Sequence, residues 1–330
     1  MLDARADIPG LLWAYRFRED GSAERLPDPV RREETQSRDG WLWLHFAYND
    51  LRAQNFIASL PDLPQAARTT LLKPDEHLSL GVTDGVAHGV IADLQREVGA
   101  DTREIGRLRF AFDDHLVVSA RRHPLRSVDL ARQAIEEGRG HAIAVGLIET
   151  IVEQFASATG EILTELSDEL DQIEDHVLAD TLRDDRRKLL PVRRMTVRMH
   201  RQLLALRELF RKLDRASEPR LPKGLAATAE RLAHRFDALD HDAVVLQERA
   251  RLLHDEIDTK INSETNRHLH ALSIITALAL PATFVTGFFG MNTKDLPLTQ
   301  MDGGWIIGTF LCVAASAATY WALKRAGILS

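Results

Sequence analysis

The sequence predicts an α+β multi-domain membrane protein with an N-terminal α/β domain, a long helical stalk and two C-terminal transmembrane helices. Segments of strand composition are confined to roughly the first 122 residues, apolar residues at heptad spacing dominate the middle, and two long uncharged stretches lie near the C-terminus. A chain of 330 residues exceeds what one core usually organises, so several structural units are expected. Its 28 % charged and 45 % hydrophobic residues exclude a disordered chain.

The charge balance and the cysteine content limit further which kinds of partner and covalent cross-link the protein can have. The chain carries 42 basic and 49 acidic residues, a net charge of −7, which gives no support for a nucleic-acid partner. Cys312 is the single cysteine, so no intrachain disulfide can form. The first residues lack the charged-then-apolar pattern of a signal peptide.

Five segments of the N-terminal domain have the β-branched and aromatic composition of strands, and two short segments have helical patterns. The predicted strands are Leu11–Phe17, Trp41–Phe46, Gly85–Leu94, Arg107–Phe112 and His115–Ala120, and the predicted helices are Leu51–Leu60 and Leu125–Glu137. This domain contains no glycine-rich phosphate loop and no catalytic signature. We interpret it as structural or sensory, and the protein as a non-enzyme without a resident cofactor.

From about residue 141 the apolar residues follow the 3–4 spacing of helices that pack against each other. Two antiparallel helices joined near Asp180–Asp185 are expected, and the acidic surface of the first indicates either a solvated face or a surface that attracts cations. A third pattern follows Pro219 and Pro222 and runs without glycine or proline from Leu225 to Leu280. As one helix of roughly 65 residues it would be about 100 Å long. The three apolar seams comprise Leu163, Leu166, Leu170, Ile173 and Val177, then Leu189, Val192, Thr196, Met199, Leu203, Leu206, Phe210 and Leu213, then Leu225, Ala229, Leu232, Phe236, Leu239, Ala243, Leu246, Ala250, Leu253 and Ile257.

Two C-terminal stretches without charged residues, Ala271–Thr293 and Gly303–Leu323, are each long enough to cross a hydrocarbon core of roughly 30 Å as a helix. Basic residues close the second stretch and precede the first, so the positive-inside bias places both termini in the cytoplasm. The expected organisation is an α/β domain at 1–140, a helical region at 141–268 with a stalk helix starting near 223, transmembrane helices at 269–292 and 304–323, an outer loop at 293–303 and a cytosolic tail at 324–330.

The tripeptide Gly290-Met291-Asn292 ends the first transmembrane stretch, immediately before the outer loop. Taken alone, it fits a helix cap as well as a functional motif. After a long stalk and an α/β domain, it resembles the CorA family of divalent metal cation transport proteins, and the resemblance covers essentially the whole chain. The resemblance implies a homopentameric funnel in the inner membrane, a pore lined by the stalk helix, and a selectivity filter at Gly290, Met291 and Asn292.

The residues around the motif bear on the subgroup. The segment Thr293–Leu298 contains a lysine and lacks the acidic MPEL-type loop that typically follows the motif in CorA magnesium proteins. Together with Trp43-Leu44-His45, this loop looks more like the ZntB zinc transporters. Zinc is therefore favoured over magnesium, cobalt or nickel, and proton coupling and the direction of transport are left open. The alternatives are a magnesium, cobalt or nickel channel of the CorA type and a non-conducting, membrane-anchored oligomeric sensor.

The helical stripe that runs inward from Asn292 carries the proposed pore-lining residues. Hydroxyl and amide groups on it suit a hydrated dication, and leucines could gate the pore by dewetting. The stripe comprises Thr283, Leu280, Thr276, Ser273, Leu269, Asn266 and Asp255.

Candidate metal ligands are Asn292 and Asp255, each of which would form a ring in a pentamer. His234, Asp237 and His241 have spacings that could place zinc ligands on one helix face, although solvated or inter-subunit roles are the more ordinary interpretation. Asp255 could equally pair with Arg251 or Lys260 and have no pore role. The expected partners are other copies of the chain, divalent cations and the lipid bilayer.

Overall fold

The computed structural model describes residues 7–31, 34, 40–97, 100–179, 185–215, 220–291 and 303–327. The chain divides into two compact units, Met1–Leu252 and Leu253–Ser330. A single long helix, α6 (Leu225–Phe289), contributes residues to both units. This helix has 65 residues, which matches the length of roughly 65 residues expected if the third pattern continues into the first membrane stretch.

A seven-stranded sheet organises the N-terminal part of the first unit. Its strands are β1 (Leu11–Phe17), β2 (Ala23–Arg25), β3 (Trp41–Ala47), β4 (Ser79–Thr83), β5 (Val86–Glu97), β6 (Ala100–Phe112) and β7 (Leu116–Arg121). The order across the sheet is β2-β1-β3-β7-β6-β5-β4. The β3–β7 pair is parallel and the other pairs are antiparallel. The chain between β3 and β7 includes α1 (Leu51–Ala58) and α2 (Gln65–Leu72), and parallel neighbours need a long connection of this kind.

The two faces of this sheet bury different kinds of side chain, since successive residues of a strand point to opposite sides. On one face, Leu44, Phe46 and Val118 belong to an apolar core with residues of α1 and α2. On the other face, α3 (Arg126–Glu136) covers a polar and aromatic layer. There the Tyr15 hydroxyl donates a hydrogen bond to Glu136 at 2.7 Å, and the Arg121 guanidinium pairs with Asp129 at 2.9 Å.

Three helices complete the first unit: α4 (Ala144–Leu178), α5 (Asp185–Asp214) and the N-terminal part of α6. Every seam residue predicted from the heptad pattern is buried, which confirms the helical phase along all three helices. Arg249 of α6 pairs with Asp171 of α4 at 2.6 Å, and Arg207 of α5 pairs with Asp240 of α6 at 3.0 Å. Ion pairs therefore border the apolar seams on both sides of α6.

The second unit contains the C-terminal part of α6 and α7 (Gly304–Arg325), and both helices are long and apolar enough to cross a membrane. The side of α7 that is partly covered carries small residues, among them Gly308, Cys312 and Ser316. Small residues allow helix backbones to approach closely in a bilayer. The Ser316 hydroxyl donates to the Leu278 carbonyl of α6 at 3.0 Å, on the N-terminal side of Pro281. The two helices therefore pack as the hairpin that the hydropathy pattern predicts.

The structure also contains elements that the sequence pattern did not predict. β2, β4 and α2 were missed, and β6 begins at Ala100 instead of Arg107. β4 is an edge strand of five residues with Gly81 at its centre, and no residue in it is fully buried, so it lacks the apolar alternation of a covered strand. The outer loop 293–302 and the C-terminal residues 328–330 lie outside the described residues.

Candidate functional site

The proposed stripe on α6 lies on the side of that helix opposite to α7. Leu278 and Ala282 contact α7 through their carbonyl oxygens, which accept from Ser316 and Cys312 at 3.0 and 3.8 Å. At 100° per residue, Leu269, Thr276 and Leu280 are about half a turn away from Leu278. Every residue of the stripe from Asp255 to Thr283 is exposed in the single chain. The hairpin thus leaves this face of α6 uncovered.

The hydroxyl groups of the stripe direct their lone pairs away from the helix. Ser273, Thr276 and Thr283 each donate the hydroxyl proton to the carbonyl four residues earlier, at 2.8, 2.9 and 3.0 Å. A hydroxyl used in this way is left with acceptor capacity on its exposed side. The water molecules that surround a dication point their protons outward, so these oxygens suit a cation that keeps its hydration shell.

Apolar residues alternate with these hydroxyls. The side chains of Leu269 and Leu280 are 55 % and 63 % exposed, which is a large apolar area for a residue in the middle of a helix. Around Leu280 the surface forms an open groove of about 520 Å³ on the C-terminal part of α6. The groove is lined by Leu280, Thr283, Phe284, Gly287, Phe288 and Met291.

Gly287 and Phe284 are groove residues that the sequence interpretation did not name. The stripe consists of two rows at seven-residue spacing, one through Leu269, Thr276 and Thr283 and the other through Ser273 and Leu280. Extending the second row by seven residues reaches Gly287, and extending the first reaches Gly290. The heptad extension is therefore the signal that could have found Gly287.

Part of the Gly290-Met291-Asn292 motif lies at the C-terminal end of α6, where Gly290 and Met291 follow the last helical residue. The Gly290 amide donates to the Thr286 carbonyl at 2.9 Å, whereas the Met291 amide turns to the Phe288 carbonyl at 3.4 Å, so the α-helical hydrogen bonding ends at this glycine. A Cβ atom at Gly290 would lie 3.0 Å from that carbonyl oxygen, which favours glycine at this position. Met291 is half-exposed, and Asn292 lies outside the described residues.

The histidine cluster proposed from sequence does not form a ligand set within one chain. His234 and His241 are exposed and seven residues apart, which separates them by about 10.5 Å along the helix axis. Asp237 instead accepts hydrogen bonds from Arg207 and Arg211 of α5, both at 3.2 Å. Within the described residues, no three His, Cys, Asp or Glu side chains are grouped closely enough to hold a metal ion.

Comparison with known proteins adds family information to this geometry. A family model described as "CorA-like Mg2+ transporter protein" matches residues 38–325. A protein named "Divalent cation transporter CmaX" from Pseudomonas aeruginosa is 24 % identical over 323 residues, which cover 97 % of each chain. A protein named "Zinc transport protein ZntB" from Cronobacter sakazakii is 26 % identical, with 96 % of each chain covered.

Solved structures show the same fold. The structure of full-length CmaX matches with a TM-score of 0.80 at 24 % identity, over 97 % of this chain and 98 % of the other. The complete structure of the CorA magnesium transporter from Methanocaldococcus jannaschii matches with a TM-score of 0.73 at 18 % identity, over 96 % and 98 %. The likeness therefore extends over both compact units.

Proposed function

The chain belongs to the CorA-like Mg2+ transporter family, a family of transporters and not of enzymes, and we propose that it forms a homopentameric pore for divalent cations lined by the exposed stripe of α6. Family membership and the apolar hairpin agree with the resemblance that the sequence motifs predicted. The pentamer, the lining residues and the ion are the proposed parts.

The observation that carries the proposal is the position of the stripe relative to α7. The hydroxyl oxygens on this face keep an acceptor capacity that lipid cannot use, so the face suits a water-filled pore better than hydrocarbon. Five copies around an axis would turn this face of α6 inward and leave α7 outside, where Trp305 and Phe310 are 76 % and 69 % exposed and suit lipid contact. Rings of Ser273, Thr276 and Thr283 would accept from the ion's water shell.

At the outer end, Gly290, Met291 and Asn292 would form the selectivity filter. Five Asn292 amide oxygens present a neutral ring that can bind a hydrated dication without holding it as strongly as carboxylates would. Further inward, rings of Leu280 and Leu269 would gate by excluding water, and Asn266 and Asp255 would line the inner approach.

Zinc is the ion we favour. The relatives named ZntB and the lysine-containing outer loop support zinc, whereas the family description and the fold likeness to a magnesium transporter support magnesium as the alternative, with cobalt or nickel transported through the same type of pore. No Asp or Glu occurs from Ala271 to Thr293, so proton coupling would require a group outside this segment.

The proposed setting is the inner membrane, with both termini in the cytoplasm and 293–303 as the outer loop. The α/β domain at 1–140 and the helical region at 141–268 would be cytosolic. Residues 269–292 and 304–323 would span the bilayer, and 324–330 would return to the cytoplasm.

The test is the flux of labelled Zn²⁺ and Mg²⁺ into liposomes that contain the purified protein. We expect saturable flux with zinc preferred, and loss of most of that flux in Asn292→Ala with an intact pentamer, because the substitution removes only the ring of amide oxygens. Gln300→Ala, which removes an amide from the outer loop, is the matched control and should transport normally. Assembled pentamers that conduct neither ion would instead support the non-conducting sensor, and preference for magnesium would support the CorA-type channel.

A further inference from the structure

α4 and α5 lie on opposite flanks of α6 in the first unit. On one side, Arg249 of α6 pairs with Asp171 and Glu174 of α4 at 2.6 and 2.8 Å. On the other side, Asp240 of α6 pairs with Arg207 of α5 at 3.0 Å. Arg249 and Asp240 are nine residues apart, which at 100° per residue is half a turn of the helix. The part of α6 between these flanks is exposed and includes His241 and Val245.

A ring of copies with this exposed part of α6 turned inward would bring different flanks together. In a cyclic assembly of five copies every interface between neighbours is heterologous, so the α5 flank of one copy meets the α4 flank of the next. We propose that the arginine-rich outer face of α5 docks on the acidic outer face of α4 from the neighbouring copy, an inference that rests on the proposed ring.

The outer face of α5 is basic and partly apolar. Four arginines there are exposed, and none of them has an ion-pair partner among the residues that the structure describes. They are Arg193, Arg194, Arg198 and Arg201. Leu190 and Leu204 flank these arginines on the same face of the helix and are 45 % and 36 % exposed. A row of exposed guanidinium groups with an exposed leucine at each end is typical of an interaction surface, because arginine is enriched and lysine depleted at interfaces.

The outer face of α4 has the complementary charge. α4 contains no lysine or arginine, and its exposed residues opposite the apolar seam include Asp168 and Asp175. Neither carboxylate has an ion-pair partner among the described residues, whereas Glu161 and Glu165 on the same face pair with Arg126 and Arg103. Two carboxylates thus remain available to a neighbouring copy.

The two faces lie at the same level along the bundle. His200 of α5 bonds to Asp240 of α6 at 2.7 Å, and because α5 runs antiparallel to α6, Arg194 and Arg198 lie level with α6 residues that follow Asp240. Asp168 of α4 lines a cavity of about 390 Å³ together with Val245 of α6, which lies at that level. Rotation about an axis along the bundle involves no translation, so it would bring the arginine face of one copy to the carboxylate face of the next.

Charge reversal on either helix, and on both, tests the docking. Two pairs of reversals should each place like charges in contact: Arg194→Glu with Arg198→Glu, and Asp168→Arg with Asp175→Arg. Either pair should lower the pentamer-to-monomer ratio of the full-length protein in detergent by about tenfold, measured by native mass spectrometry. The four substitutions together restore opposite charges and should recover the pentamer. Lys212→Glu with Arg220→Glu, on exposed residues outside the arginine face, is the matched control and should assemble normally.

Cross-linking provides a measurement that does not depend on loss of assembly. In a Cys312→Ser background, Asp168→Cys with Arg198→Cys should give covalent oligomers up to the pentamer with a short bismaleimide, whereas Asp168→Cys with Lys212→Cys, about 21 Å further along α5, should not. Suppose that the wild-type protein is a pentamer, that both charge reversals leave it assembled, and that Asp168→Cys with Arg198→Cys gives no covalent oligomer. This result would overturn the docking while leaving the proposed pore intact. A wild-type protein that is monomeric would overturn the ring itself. If the arginine reversals abolish binding of the protein to anionic lipid vesicles but leave the pentamer intact, the arginine face binds lipid, and the docking is also overturned.

Discussion

At the scale of single residues, the charge state of Asp93 bears directly on the stability of the α/β domain. It lies fully buried in β5 and accepts hydrogen bonds from the backbone of Leu94 and from the backbone and hydroxyl of Ser127, at 2.6 to 3.2 Å. It thereby satisfies amide groups at the N-terminus of α3, where a helix has unpaired donors. Burial nevertheless raises the pKa of this carboxyl to about 6.

A raised pKa for a buried carboxyl means that the folded state favours the protonated form. The stabilisation is complete below the unfolded pKa of about 3.9 and is lost as the pH rises through about 6, a difference on the order of 3 kcal/mol. Asp93→Asn keeps an oxygen for the helix cap and removes the charge. We expect wild-type protein to lose about that much more stability than Asp93→Asn between pH 4 and pH 7.5, measured by denaturant unfolding of the full-length protein followed by tryptophan fluorescence.

The exposed carboxyl of Asp20 is the control for this measurement. Its pKa is lowered by hydrogen bonds from Ser22, so Asp20→Asn should change the pH dependence in the opposite direction, and only slightly because the group is exposed. Equal pH dependence in wild type and Asp93→Asn would show that folding does not raise the pKa of the Asp93 carboxyl.

At the scale of secondary-structure elements, the features that could be predicted from the sequence are those that depend on local patterns of apolar and polar residues. The buried face of α6 from Leu225 to Ile257 follows the heptad rule residue by residue, since residues at this spacing share one face of a helix. β4 was missed because an edge strand buries little and needs no apolar alternation. The partner of Asp237 could not be predicted either, because the contact with Arg207 depends on how α5 docks on α6 and not on the sequence of either helix.

The α5–α6 contact offers a prediction that separates buried from exposed ion pairs. Asp240 is almost fully buried and accepts from both His200 and Arg207, whereas the side chain of Asp237 is 44 % exposed. Asp240→Ala should cost about 2 to 3 kcal/mol of unfolding free energy, because it removes the hydrogen bonds that a buried carboxylate accepts from two partly buried groups, although Arg207 keeps its contacts with Asp237 and Glu208. Asp237→Ala should cost less than about 1 kcal/mol.

Denaturant unfolding of the two variants side by side checks this difference. Equal losses would mean that the burial of Asp240 does not strengthen its contacts. The Asp237→Ala variant also tests the pore proposal, since it removes a candidate zinc ligand without a large loss of stability. Unchanged zinc flux in that variant would remove Asp237 from the list of metal ligands.

At the scale of the whole molecule, the distribution of charge favours self-association. Acidic and basic residues are segregated onto different helices of the first unit, so a single copy has one flank of each sign. On α6, the stripe through Asn266, Ser273 and Leu280 stays uncovered because α7 occupies the opposite side. Both features leave surfaces that other copies of the chain would cover in the proposed ring.

Asp255 is where the assembly should change the chemistry of a residue most. In one chain it is exposed on α6. Around a fivefold axis, five such carboxylates would repel one another, and a bound dication would relieve that repulsion. Added Zn²⁺ or Mg²⁺ should therefore raise the thermal stability of the wild-type pentamer, and Asp255→Asn should reduce that rise and alter flux. Glu256→Gln, one residue further and about 100° round the helix, is the matched control and should keep both properties. If Asp255→Asn retains the full cation-dependent stabilisation and normal flux, Asp255 pairs within its own chain, and the helical phase that also selects Asn266 and Thr283 would need to be revised.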